Sequence, residues 1–140
     1  MPHVSHIKLK KEQFEKIYKK LAFVFDSAGK NQKSKLILDE FLTSTEKIML
    51  AKRLAIIFML NEKISIHHIS EALFVSSSTV NRISLKYDIG KFAHMSEIAK
   101  NNKADVWEIL KTLILIGLTP KVGKNRWKWF YEIDNKYYNK

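Results

Sequence analysis

Residues Ser65–Ser84 read SIHHISEALFVSSSTVNRIS. An apolar-patterned segment runs into three serines and a threonine, then into Val-Asn-Arg-Ile. A run such as Ser76-Ser77-Ser78-Thr79 ordinarily marks a loop. Here it joins two helical patterns. Ser65 can cap a first helix, IHHISEALF, whose Ile66, Ile69 and Leu73 face one way. FVSSS is a tight turn. Ser76 is placed to cap a second helix, SSTVNRISLKY, its hydroxyl accepting an orphan backbone N–H.

With Val80 at angle zero and a step of about 100° per residue, Ile83 and Tyr87 fall beside Val80 and form a buried face. Ser78, Asn81, Arg82 and Leu85 fall on or near the far side, with Ser77 beside them. Thr79 and Lys86 flank that surface. The outer face is small, polar and free of acid, which suits a helix lying in the major groove. Short side chains let the backbone approach base edges; Asn pairs bidentately with adenine, and Arg with guanine or a phosphate. The first turn brings free N–H groups and the positive end of the helix dipole toward a phosphate. Ile69, Leu73, Val75, Val80 and Ile83 then share one small core, the helix-turn-helix layout. A plain helical hairpin with a Ser cap has the same spacing. One position disagrees with the usual turn: Phe74 stands where Gly is common. A Phe at positive φ is strained by roughly 1 kcal/mol, so a different turn geometry is expected here.

Outward from this stretch the chain is strongly basic. Its 140 residues carry a net charge of +11, with 46% hydrophobic residues, only 4 Gly and 2 Pro, and no Cys. Few breakers and turn residues favour an all-α chain over a sandwich or barrel. The absence of Cys excludes disulfide frameworks, thiolate metal sites and Cys nucleophiles, and fits a cytoplasmic location. Residues 1–35 carry nine Lys and Arg against three Asp and Glu, residues 36–90 six against six, and residues 91–140 ten against five. A neutral centre with basic ends points to a polyanion, nucleic acid before an anionic membrane surface. No secretory h-region is visible, and the most apolar run, Ile48–Leu60, is interrupted by Lys52-Arg53. It falls short of the ~18 unbroken residues of a membrane span.

Upstream, EQFEKIYKKLAFVF spaces Phe14, Ile17, Tyr18, Leu21 and Val24 as one face of a helix. DSAGKNQKSK reads as a loop and LILDEFL as a short helix. Thr43 with Glu46 is a capping box that starts the next helix near Ser44. That helix, STEKIMLAKRLAIIFML, is apolar on most sides and needs cover nearly all round. Ile48, Leu50, Leu54, Ile57 and Phe58 are expected to form core plus dimer interface; a central helix wrapped by its own chain is the alternative. Downstream, DIGKFAHM reads as a linker and SEIAKNN as a short helix. KADVWEILKTLILIG is a helix with Val106, Trp107, Leu110, Leu113 and Ile114 apolar, ended by Gly117.

LTSTEKIMLAKRLAIIFML followed by ISEALFVSSSTVNRIS resembles the Trp repressor superfamily, in particular its short bacterial members, over about Leu42 to Tyr87. The resemblance implies an all-α, intertwined homodimer that presents two reading heads to a pseudo-palindromic operator. Half-sites would lie ~34–36 Å apart. Thr43, Arg53 and Arg82 match positions lining the family's tryptophan pocket. Ile83, however, stands where that pocket needs a glycine, so tryptophan binding is not expected and no cofactor is assigned. By the same alignment Ser77, Ser78 and Asn81 are base-reading candidates, and His67 sits near phosphates at the start of the first helix.

His67 and His68 point about 100° apart on a helix and cannot share a metal by themselves. His3 and His6 lack an accompanying carboxylate or Cys, so no metal is expected. No Gly-rich phosphate loop, carboxylate pair or nucleophile motif is visible, so no enzyme is expected. The tail GKNRWKWFYEIDNKYYNK mixes Lys124, Arg126 and Lys128 with aromatics. It can fold back on the domain, add a phosphate contact, stack on unpaired bases, or anchor at a membrane interface. Residues 1–90 are expected to hold the dimerisation and DNA-binding domain, with the helix-turn-helix at about 65–87, and 91–140 a C-terminal extension. The function expected is a repressor-like transcription regulator binding double-stranded DNA. The alternative is an RNA-binding or ribosome-associated basic protein.

Overall fold

The computed structural model describes residues 6–117 and Asn135. Among them are seven helices and no strand: α1 (Lys11–Lys30), α2 (Ser34–Phe41), α3 (Ser44–Asn61), α4 (Ile66–Leu73), α5 (Ser77–Asp88), α6 (Ala93–Asn101) and α7 (Lys103–Gly117). The chain is all-α. His3, the basic aromatic tail from Lys124 to Tyr138, and the side chains of Leu113 and Ile114 lie outside the described residues.

The chain divides between Lys47 and Ile48 into two units. In the first, α1 packs on α2. Phe25 meets Phe41 edge to face at 6.3 Å, and Ala28 is buried. The stretch expected as a loop from Asp26 onward is helical as far as Lys30. Asn31 then closes the end, its Nδ2 donating to the Ser27 carbonyl at 2.9 Å. Phe14, Ile17, Tyr18 and Val24 of the apolar face of α1 are exposed in the single chain.

In the second unit the core begins with Ala55–Met59, five consecutive buried residues of α3. A helix buried at every angle needs neighbours on all sides. Ile64, Ile69, Ala72, Leu73, Val80, Ala99, Val106, Trp107 and Leu110 supply them. Helix α4 packs against both α5 and α7, and α6 against α7. This single core draws residues from both sides of residue 90. The linker expected over 88–95 is shorter. Phe92 and Met95 pack against the core, and α6 begins at Ala93. Of the five α3 residues assigned to core and dimer interface, Ile57 and Phe58 are core, whereas Ile48, Leu50 and Leu54 are exposed.

Four helix ends close in one way. Gln32, Lys63, Phe74 and Gly90 each take a left-handed conformation, with φ of 55°, 60°, 52° and 79°. The next residue's N–H then bonds back five residues: Lys33 to Ala28, Ile64 to Met59, Val75 to Ser70 and Lys91 to Lys86, at 2.8–3.2 Å. This is the Schellman closure, and only Gly90 adopts it free of Cβ strain.

Candidate nucleic-acid interface

Helix α4 starts where Ser65 Oγ accepts the His68 N–H at 3.2 Å. It ends at Phe74, whose N–H and that of Val75 both donate to the Ser70 carbonyl. The turn therefore keeps its left-handed geometry despite the Phe, contrary to the expectation that it would differ. Phe74 is 67% exposed, so its ring clashes with little. Lys52 Nζ reaches the Phe74 carbonyl from α3 at 3.5 Å, a long contact that sequence spacing gave no hint of. Helix α5 then starts at Ser76, whose Oγ accepts the Thr79 N–H at 3.2 Å.

Val80 is fully buried, and Ile83 and Tyr87 pack against the same core. Tyr87 Oη donates to Asn61 Oδ1 at 3.1 Å, tying the far end of α5 to the end of α3. The buried face is the one the helical angles gave. Ser77, Ser78, Asn81, Arg82, Leu85 and Lys86 are all exposed. Asn81 and Arg82 thus stand in solvent rather than inside the fold. Thr79 is exposed too, but its hydroxyl is turned toward Ser76 Oγ at 2.8 Å, and Ser78 Oγ lies 3.1 Å from the same atom. Ser77 Oγ donates to Ser70 Oγ at 3.4 Å, linking the two helices. The hydroxyls form a small network that fixes the start of α5, while Asn81 and Arg82 extend beyond it.

His67 is exposed on the first turn of α4, with Nε2 3.4 Å from Glu71 Oε1. His68 is more enclosed. Burial pushes its pKa below the ordinary value, the charge of His67 adds to that, and Glu71 opposes it. Thr43 caps α3: its N–H donates to Glu46 Oε2 at 2.8 Å, its hydroxyl to the same oxygen at 2.9 Å, and its Oγ1 accepts the Glu46 N–H. These bonds hold the Glu46 carboxyl below its usual pKa, the backbone donor first. Arg53 is exposed on α3. Among the described residues no group of His, Asp and Glu is arranged to hold a metal ion, and no helix is long and apolar enough to cross a membrane.

The family model for the Trp repressor protein matches residues 12–102, from α1 to the end of α6 and across the whole α4–turn–α5 unit. This chain belongs to the Trp repressor family. The family is one of helix-turn-helix DNA-binding regulators rather than enzymes. No curated protein and no solved structure matched the chain.

Proposed function

We propose that this chain is a homodimeric, sequence-specific regulator of repressor type that reads double-stranded DNA in the major groove, without tryptophan as corepressor. The observation that carries the proposal is the outer face of α5. It presents Ser77, Ser78, Asn81, Arg82 and Lys86 to solvent, with Val80 locking the opposite side into the core. Asn81 and Arg82 supply base-edge recognition, Ser77 and Ser78 close approach, and Lys86 and His67 phosphate contacts. Thr79 serves mainly through the cap. The charge of +11 adds affinity that falls with salt as counterions are released.

Two features support the remaining parts. Among the described residues of the first unit only Ala28 is buried, while Phe14, Ile17, Tyr18, Phe23 and Val24 are exposed along α1. Ala28 and a few half-buried side chains are little to offset the ordering of two helices, which supports a reading in which a second copy covers this face. Ile83 packs against the core at the position where the family's pocket requires a glycine. A β-branched side chain there fills the space of the indole, which leaves Arg82 for DNA. Thr43 and Arg53 are then a vestige of the pocket.

Selection of bound duplexes from a random pool tests the proposal, with structured RNA as competitor at matched salt. The expected result is a two-fold symmetric site, resistant to the RNA. Arg82→Ala should weaken it by about 1–3 kcal/mol. Unchanged affinity in Arg82→Ala alongside a loss in Lys20→Ala would remove α5 as the reading helix. Light scattering that returned a mass near 16.4 kDa at micromolar concentration would remove the dimer.

A further inference from the structure

A second charged feature lies away from the reading face. Asn61, Glu62, Lys63, Lys100 and Lys103 line a cavity of about 350 Å³ where the end of α3 meets α6 and the start of α7. Its three lysines come from three segments, and among the described residues none of them forms an ion pair. Glu62 is the one acid on the wall, and it has a partner of its own. Three ammonium groups against one carboxylate leave the wall net positive, an arrangement that an anion in that space relieves. Lys63 holds the left-handed position that ends α3, at φ 60°, as Gln32 and Phe74 do at the ends of α1 and α4.

We propose that this cavity binds a phosphate-bearing small anion. Lysines act as compact point charges without the planar fork of arginine, which suits a multiply charged phosphate better than a lone carboxylate. The volume falls at the lower end of small-molecule sites, which run from about 300 to 1,000 Å³. Asn61 gives the site a route to the reading helix. Its Oδ1 already accepts the Tyr87 hydroxyl of α5, while its Nδ2 is available in type to donate to an anion. An occupant held by Asn61 therefore bears on the end of α5 opposite Asn81 and Arg82. The effect on DNA rests on the function proposed above; the binding itself does not.

The test uses the full chain, pyrophosphate as probe, no DNA, and a phosphate-free buffer, read by calorimetry and thermal melting. Saturable binding of one pyrophosphate per chain at ~1 mM or below, with a raised Tm, is expected. The triple Lys63→Ala, Lys100→Ala, Lys103→Ala variant should bind at least tenfold more weakly, and the single Lys100→Glu variant likewise. A control triple on α1, at Lys16, Lys19 and Lys20, should bind as the parent does. Equal losses in both triples, or no saturation in the parent, overturn the site, because the attraction is then general. Duplex affinity without pyrophosphate should fall no further in the cavity triple than in the α1 triple, which loses the same charge. If it falls further, these lysines contact the DNA backbone and the proposal is wrong. Tyr87→Phe should keep pyrophosphate binding and lose any pyrophosphate effect on duplex affinity, which separates failure of the coupling from failure of the site.

Discussion

Leu110→Ala asks whether α7 shares its core with the DNA-reading head. Leu110 is 1% exposed, on a helix packed against α4, which in turn packs against α5. The substitution deletes three buried carbons. At about 0.8 kcal/mol each, the transfer loss is ~2.4 kcal/mol. If neighbours refill half of the roughly 80 Å³ vacated, the remainder at about 24 cal/mol per Å³ adds ~1 kcal/mol. The expected cost is therefore about 3 kcal/mol, a shift of order 10²-fold in the folding equilibrium and a large part of a typical domain's stability. Urea unfolding followed by far-UV circular dichroism measures it. Protomer concentration must be fixed, because association adds to apparent stability. The midpoint should fall with the slope unchanged, and helicity should be lost in one transition. A cost below about 1 kcal/mol, or an early transition confined to one helix's worth of signal, would make α7 an appendage rather than part of the core.

Ser76→Ala removes the acceptor of the Thr79 N–H and should lower stability by about 1 kcal/mol in the same assay. Ser76→Asp keeps a cap and should keep stability, yet it sets a carboxylate beside the duplex. It should therefore weaken DNA binding more than Ser76→Ala does. Gln32→Gly relieves a left-handed residue at φ 55° on an exposed turn. Strain relief of ~1–2 kcal/mol, less the added freedom of the unfolded glycine, gives a net gain of about 0.5–1 kcal/mol in thermal melts. A lower Tm would show the strain account to be wrong. His68 has a folded pKa below its unfolded value near 6.5, chiefly through burial. The folded state then binds fewer protons as pH falls. The contribution is complete above the unfolded value and lost as pH drops through the folded one. Stability profiles from pH 8 to 5 should decline below about 6.5, and His68→Gln should flatten that decline.

What a stretch of sequence settled here was whatever depends on neighbours within a turn or two. The span of α7, the caps at Ser65 and Ser76, and the Thr43–Glu46 box all follow from bonds between residues three or four apart. So does the division of α5 into a Val80 side and an Asn81–Arg82 side, because the helical step alone assigns the faces. Family membership was legible for the same reason: the apolar spacing and the polar face sit in one short contiguous segment.

Tertiary structure decided the rest. Helix α1 runs through Ser27 and Gly29, a stretch that reads locally as loop, while Ala28 is buried and Phe25 meets Phe41 of α2. Phe74 takes a left-handed turn that its own propensity opposes, because two bonds to Ser70 and the cores on either side over-determine it. The lysine cavity gathers Lys63 with Lys100 and Lys103, some forty residues away in the chain, a proximity no local pattern encodes. Periodicity fixes which side of a helix is apolar. Only the packed chain shows which apolar sides find cover within it and which, as along α1, are left exposed.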